Sequence, residues 1–287
     1  MKRGKDRQER PPRGSRSTTL SRAPTPGPGR LRAFDLAVEP DAPPEWPAIS
    51  ACMIVRNEAA NLRPCLESLE DLASQVVVVD TGSTDDTVEI AREMGATVHH
   101  FAWVEDFAAA RNESIRHATG EWIFWLDADD RLNPTAVSQL KRVAASGQAD
   151  AYMCLVPSPT SDGSEHITEH IRLFRNGLGI RFSFAVHETV YPDLVRLGLR
   201  LAYTDIAIQH TGYVSPEAKM RKARRNLAIL ERQIALKPAN VDLVFYRGQA
   251  RGHVGDADGL ADDMRVYLER TKPGSRFDFK RFWAYTS

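Results

Sequence analysis

A chain of 287 residues with 42% hydrophobic side chains is long enough for one large domain, or one domain and a small appendage, around a sizeable core. The formal net charge is +0, but residues 1–35 hold ten Lys or Arg against three Asp or Glu, so the remainder is mildly acidic, which argues against nucleic acid as the main partner. Cys52, Cys65 and Cys154 form no CxxC pair and offer neither a disulfide framework nor a zinc site. No apolar run reaches the ~18 residues of a membrane span, and the basic N-terminus lacks the apolar stretch of a secretory signal. A cytoplasmic protein in a reducing compartment is the expectation.

Residues 1–47 are rich in Arg, Pro, Gly and Ser and poor in large apolar groups. Such a segment buries too little surface to offset its ordering entropy, so it reads as a disordered tail. A solvated tail is the simplest reading; its alternative is contact with an acidic partner or with anionic lipid at the inner face of a membrane. Order is expected from Ala48. Residues 49–55 read as a buried strand that ends at Arg56-Asn57-Glu58, followed by a helix with Leu62, Leu66 and Leu69 on one face. Residues 76–79 are a second buried strand, ending in Asp80-Thr81-Gly82-Ser83-Thr84-Asp85. Thr84 or Asp85 can cap a helix over 86–94, which Gly95 stops. A strand over 96–100, a helix over 106–118 and a strand over 122–126 follow. The last runs into Asp127-Ala128-Asp129-Asp130.

Strands that are apolar throughout belong in a sheet covered on both faces, so a largely parallel α/β sheet is predicted for this half. Its unusual polar residues gather after the strands, at the edge where open α/β sheets bind ligands. The second half is less regular. Residues 152–156 and 169–174 read as strands around a Pro/Ser/Gly loop, 180–191 are mixed, and 202–210 read as a strand. Residues 216–236 form a long helix whose Arg221, Lys222, Arg224 and Arg225 suit a solvated face or an anionic acceptor. Residues 238–271 form two helices broken at Gly255, similar to one tetratricopeptide unit, and Phe282-Trp283-Ala284-Tyr285 is an apolar cluster able to dock on the body. The organisation expected is therefore a tail (1–47), an α/β domain (48–215) and a C-terminal helical extension (216–287).

The strongest chemical signal is Asp127-Ala128-Asp129 after a hydrophobic strand. Two carboxylates one residue apart at a strand end can face one cleft, as hard oxygen ligands for Mg2+ or Mn2+ that also takes substrate phosphates. In this setting the segment 51–132 resembles family 2 glycosyltransferases of the GT-A fold. The matching pieces are Met53-Ile54-Val55-Arg56-Asn57-Glu58, Val79-Asp80-Thr81-Gly82-Ser83-Thr84-Asp85, Ala110-Arg111-Asn112, Gly120-Glu121-Trp122 and Leu126-Asp127-Ala128-Asp129-Asp130. Downstream, Val186-His187-Glu188 and His210-Thr211-Gly212-Tyr213 are similar to segments of lipopolysaccharide-core glucosyltransferases and peptide S-glycosyltransferases.

The resemblance implies a GT-A, Rossmann-like, mostly parallel mixed sheet flanked by helices. It also implies a hexosyltransferase using a nucleotide-sugar donor, with UDP-glucose favoured, and a glycan, lipid-linked or peptide acceptor. Glu58 and Asp80 would receive the nucleoside, although Asp-Thr-Gly-Ser is also good turn chemistry and Glu58 suits the first turn of a helix. Arg111 would reach the base or the diphosphate, or else be a surface ion pair. Asp129 is the first choice of metal ligand, Asp127 lies beside it near ribose or metal, and His210 would complete the metal shell or contact the diphosphate. Inverting transfer needs a base; Glu188 is preferred, with His187 as its rival. Two other readings compete: a sugar-nucleotide nucleotidyltransferase, disfavoured because Arg56-Asn57-Glu58-Ala59 has no glycine, and a catalytically inactive interaction protein, disfavoured by the intact Asp127, Asp129 and Glu188.

Overall fold

The computed structural model describes residues 45–159, 165–212 and 216–271. The basic tail as far as residue 44, Tyr213 and the 282–285 cluster lie outside the described residues.

The chain begins β1 (Ile49–Val55), α1 (Ala59–Glu67), β2 (Gln75–Asp80), α2 (Thr87–Glu93), β3 (Thr97–His100), α3 (Phe107–Arg116), β4 (Trp122–Trp125), β5 (Asp130–Arg131) and α4 (Pro134–Ser146). It continues with β6 (Ala151–Pro159), β7 (Glu165–Arg175), α5 (Tyr191–Arg196), β8 (Leu201–Ala207), β9 (Gln209–His210), α6 (Pro216–Leu236), α7 (Val241–His253) and α8 (Ala257–Arg270). Seven strands make one sheet in the order β3-β2-β1-β4-β7-β6-β8, and β5 pairs with β9 beside it. Pairings β1–β2, β1–β4, β2–β3 and β6–β8 are parallel; β4–β7 and β6–β7 are antiparallel. This is the mostly parallel mixed sheet expected.

Alternation along β1 splits the core between the two faces of the sheet. Ala51, Met53 and Val55 join Leu62, Leu66 and Leu140 on one side, under α1 and α4. Cys52 joins Val77, Ile123, Trp125 and Phe174 on the other, with Ala108 and Ile115 of α3 and Leu194 of α5. Gly120 leads into β4 where a Cβ would lie 2.7 Å from Ser50 N and 2.8 Å from Ala48 O, so only glycine lets these backbones approach.

The short helix α5 has no counterpart in the sequence reading, α2 has its N-cap at Asp86 and not at Thr84 or Asp85, and three larger features also differ from that reading. Helix α4 has no counterpart in it, yet both its ends are signalled: the Asn133 side chain accepts from Ala136 N at 2.8 Å, Pro134 opens the first turn, and Gly147 closes it at φ 62°. The expected strand over 202–210 is two strands. Ile208 N still bonds Leu155 O, and the chain then leaves β6 so that His210 and Gln209 pair with Asp130 and Arg131. Strands β6 and β7 are longer than predicted because their outer halves form an exposed two-stranded ribbon whose apolar pattern is broken.

Helices α6 and α7 pack Ile229, Leu230, Leu243 and Ala250 on Ala185 and Val186, with Trp103 and Phe107 at the margin. Helix α8 closes on α7 through Phe245, Met264 and Tyr267. A Cβ at Gly248 would overlap Met264 Cε, which shows how closely the two helices cross. No helix among the described residues is long and apolar enough to cross a membrane.

Candidate active site

The C-terminal ends of β1, β2 and β4 lie side by side, so their following turns share one edge of the sheet. The first two turns are tied together. Asn57, at φ 56°, accepts from Thr84 N at 2.8 Å and donates its own backbone N–H to Ser83 Oγ at 2.9 Å. Asp80 is spent largely on its own turn: it accepts from Ser83 N at 2.9 Å and Gly82 N at 3.3 Å, and meets His100 Nδ1 at 3.2 Å. Burial alone would raise its carboxyl, but these bonds outweigh burial and hold it below the usual range. Glu58 accepts from Asn61 Nδ2 at 2.9 Å. Burial pushes its carboxyl up, and the charges of Asp129 and Asp127 push the same way.

The third turn is the centre of a buried charge network. Arg111, on the inner face of α3, donates through Nη2 to Asp127 Oδ1 at 2.7 Å and through Nε to Glu188 Oε1 at 2.8 Å. Its side chain is only 6% exposed, which removes the surface-ion-pair reading. Arg172, from β7 and 3% exposed, pairs with Asp130 Oδ2 at 3.0 Å and reaches Asp127 Oδ2 at 3.8 Å. Both guanidiniums lie against the Trp125 ring, 4.1 and 3.9 Å from its centroid, where the π face replaces water. One donor on each, Arg111 Nη1 and Arg172 Nε, is buried with no hydrogen-bond partner among the described residues. Partial desolvation would raise Asp127, whose side chain is 36% exposed, but Arg111 and Arg172 outweigh it and keep the carboxyl well below the usual carboxylate range.

Asp129 and His210 form a second group. The carboxylates of Asp129 and Asp130 and the imidazole of His210 offer ligand atoms within 4.8 Å of one another. Their other bonds divide them. Asp130 is fully buried, holds Arg172, accepts Asp127 N–H at 2.9 Å and bonds His210 Nδ1 at 3.0 Å. Its oxygens are therefore committed, and it turns His210 so that Nε2 stands 3.4 Å from Asp129 Oδ2. A carboxylate that fixes one ring nitrogen of a histidine leaves the other free to ligate, and here that nitrogen stands beside the Asp129 carboxylate. The carboxylate oxygen is the hard donor that Mg2+ or Mn2+ takes, while the imidazole is a donor shared with Zn2+, Fe2+ and Ni2+, so the pair suits a divalent cation without choosing among them. The Asp130 bond raises His210; burial raises Asp129, with Asp127 and Asp130 adding to it against His210. Gly212 lies over the pair, where a Cβ would overlap the Asp129 carboxylate and come 3.0 Å from His210 Nε2.

Of the residues expected at the site, Asp127 and Glu188 are joined through Arg111, and Asp129 and His210 meet directly. Asp80 is set apart within its turn. His187 stacks on Tyr246 of α7, ring centroids 4.5 Å apart and 19° from parallel. The sequence reading misses Asp130 and Arg172. Asp130 adjoins the acidic pair and was open to notice; Arg172 is one cation in an alternating strand, with no local signal of its partners.

The family model described as "Glycosyl transferase family 2" matches residues 50–203. A TPR repeat-containing protein of Synechococcus elongatus is 35% identical over 232 residues, 78% of this chain and 57% of that protein. The SPbeta prophage-derived glycosyltransferase SunS of Bacillus subtilis is 30% identical over 232 residues, 79% of this chain and 54% of that protein. The chain thus spans little more than half the length of these relatives. A crystal structure of S. aureus TarS superposes with a TM-score of 0.52 at 15% identity, over 79% of this chain and 49% of that one, a likeness of fold.

Proposed function

The chain belongs to glycosyl transferase family 2, and from that membership we propose that it moves a hexose from a UDP-type nucleotide-sugar donor to a glycan, lipid-linked or peptide acceptor. The glycosyltransferase name of the Bacillus subtilis relative supports the reaction class. The observation that carries the reading is the pairing of Asp129 with a His210 whose Nε2 is turned toward it by buried Asp130.

Asp129 and His210 would hold a divalent cation, Mg2+ or Mn2+. Bound there, the cation would offset charge on the departing diphosphate, a contribution of several kcal/mol. Glu58 and Asp80 receive the nucleoside, Asp80 from a carboxylate whose orientation is fixed by Ser83, Gly82 and His100. Asp127, ionised between Arg111 and Arg172, is placed to accept from ribose or sugar hydroxyls. Glu188 is the base. Its Oε1 takes the Arg111 Nε–H, which fixes the carboxylate and leaves Oε2 to accept the proton of the attacking acceptor. Arg111 therefore bridges the donor side, through Asp127, to the acceptor side, through Glu188.

Titration calorimetry of UDP in the presence of Mn2+ tests the metal assignment. Wild type should bind UDP more tightly with Mn2+ than without, and Asp129→Ala should lose that gain. An unchanged affinity in the variant removes Asp129 from the metal site.

A further inference from the structure

The segment 183–189 carries the proposed base and is held in an unusual shape. An isolated bridge closes it at its ends, with Ser183 N to Thr189 O at 3.0 Å and Thr189 N to Ser183 O at 3.1 Å. Inside it, two residues that are not glycine adopt left-handed backbone, Phe184 at φ 74° and His187 at φ 58°. Such conformations are disfavoured for side chains with a Cβ and persist only where neighbours over-determine them. Phe107 N donates to Ala185 O at 3.0 Å, and Ala185 and Val186 are buried against Ile229, Leu230 and Leu243. The ring of Tyr246, on α7, touches both left-handed residues. It meets Phe184 edge-on with centroids 6.2 Å apart, and it lies nearly flat on His187. Glu188 follows His187 directly and is fixed at its other end by Arg111.

Resting on the assignment of Glu188 as base, we infer that Tyr246 of the C-terminal helical extension is a positioning residue for the transfer reaction: its ring, stacked on His187, holds the 184–188 turn in the shape that presents Glu188 to the acceptor. The helices beyond the sheet are then part of the catalytic unit, with this aromatic pair added to the packing of Ile229, Leu230 and Leu243 on the same turn. Helix α6 supports the same arrangement from the side. Arg232 pairs with Glu105, itself at φ 59°, in the loop leading to α3, and Arg225 lies over the Phe107 ring at 4.9 Å. The stacked ring face does the holding, which an aliphatic side chain cannot supply.

The test uses the whole chain with UDP-glucose and the other UDP-hexoses, Mn2+ present and water as acceptor, and reads kcat and donor KM for Tyr246→Phe, Tyr246→Leu and Tyr246→Ala. Tyr246→Phe should stay within about 3-fold of wild-type kcat. Tyr246→Leu, which keeps apolar volume for the helix contacts, and Tyr246→Ala should lose about 10- to 100-fold in kcat with donor KM within about 2-fold, because misplacing a reacting group by roughly 1 Å costs on that order. The His187 imidazole proton resonances should move downfield in the Leu and Ala variants as the ring current of Tyr246 is lost, and this readout needs no turnover. Wild-type kcat in a folded Tyr246→Leu protein overturns the inference, as does a Tyr246→Phe loss equal to that of Tyr246→Leu, or a donor KM that rises in step with the fall in kcat. If Tyr246→Ala does not fold, the Phe and Leu pair decides. Wild type that turns over no donor sinks the glycosyltransferase reading instead, a different result from turnover indifferent to Tyr246.

Discussion

Replacing Arg172 by Met should be among the costliest single changes in the sheet. The Arg172 side chain is 3% exposed, and its Nη1 lies 3.0 Å from Asp130 Oδ2, an acid with 0% exposure. Met preserves the unbranched stem and its contact with Trp125 but removes the cation, leaving a buried carboxylate with no counter-charge on that side. Breaking a buried ion pair by deleting one partner costs about 3–5 kcal/mol. Asp130 still accepts two other bonds, from Asp127 N at 2.9 Å and from His210 Nδ1 at 3.0 Å, so the low end, about 3 kcal/mol, is expected. For a domain of this size that corresponds to a melting temperature lower by about 6–12 °C. Urea denaturation of wild type, Arg172→Met, Asp130→Asn and the double variant forms a cycle. The double variant should be more stable than the sum of the single losses predicts, by at least about 1 kcal/mol, because it removes the unpaired charge together with its partner. A loss under 1 kcal/mol in Arg172→Met, or strict additivity in the cycle, would show that the pair is not the buried interaction described.

His170 on β7 should make stability sensitive to acid. Burial lowers its imidazole from 6.5 to about 4, with Arg172 acting in the same direction. A folded value below the unfolded one means that protonation favours the unfolded chain. The contribution is therefore complete above pH 6.5 and drains away as pH falls toward 4, up to about 3 kcal/mol. Urea midpoints at pH 7 and pH 4.5 should fall further in wild type than in His170→Gln, and parallel falls would contradict this. Gly120→Ala should destabilise the chain by about 1–3 kcal/mol, because the new Cβ meets backbone at 2.7 and 2.8 Å and backbone cannot swing aside; a neutral effect by thermal denaturation would show that the turn relaxes.

What the sequence discloses and what it hides follow from the range of the signals. β1, β2 and β4 are legible because runs such as Val76-Val77-Val78-Val79 and Trp122-Ile123-Phe124-Trp125 are apolar throughout, which only a doubly covered sheet tolerates. The acidic turn after β4 is legible because its position follows from that strand. Helix α4 carries its own caps, Asn133 and Gly147, so its signal is local and was there to be read. The antiparallel insertion of β7 between β4 and β6 is not local: nothing in residues 165–175 says which strand they join, and that pairing is what brings Arg172 to Asp130 and Asp127. The same holds for Arg111. Its motif suggests a ligand contact, whereas its burial between Asp127 and Glu188 depends on how α3 and the 183–189 turn pack. The stacking of His187 on Tyr246 joins residues 59 positions apart and leaves no trace in either segment.

The most direct test of the account is phosphorus NMR of UDP-glucose and other UDP-hexoses incubated with the chain, with Mn2+ and then with EDTA. The expected result is Mn2+-dependent conversion of at least one donor to UDP and free hexose, slowed by about 10²–10⁴-fold in Glu188→Gln, which keeps the size of the base but cannot take the proton. Cleavage to UMP and a sugar phosphate, turnover indifferent to EDTA, or no consumption of any donor would contradict it.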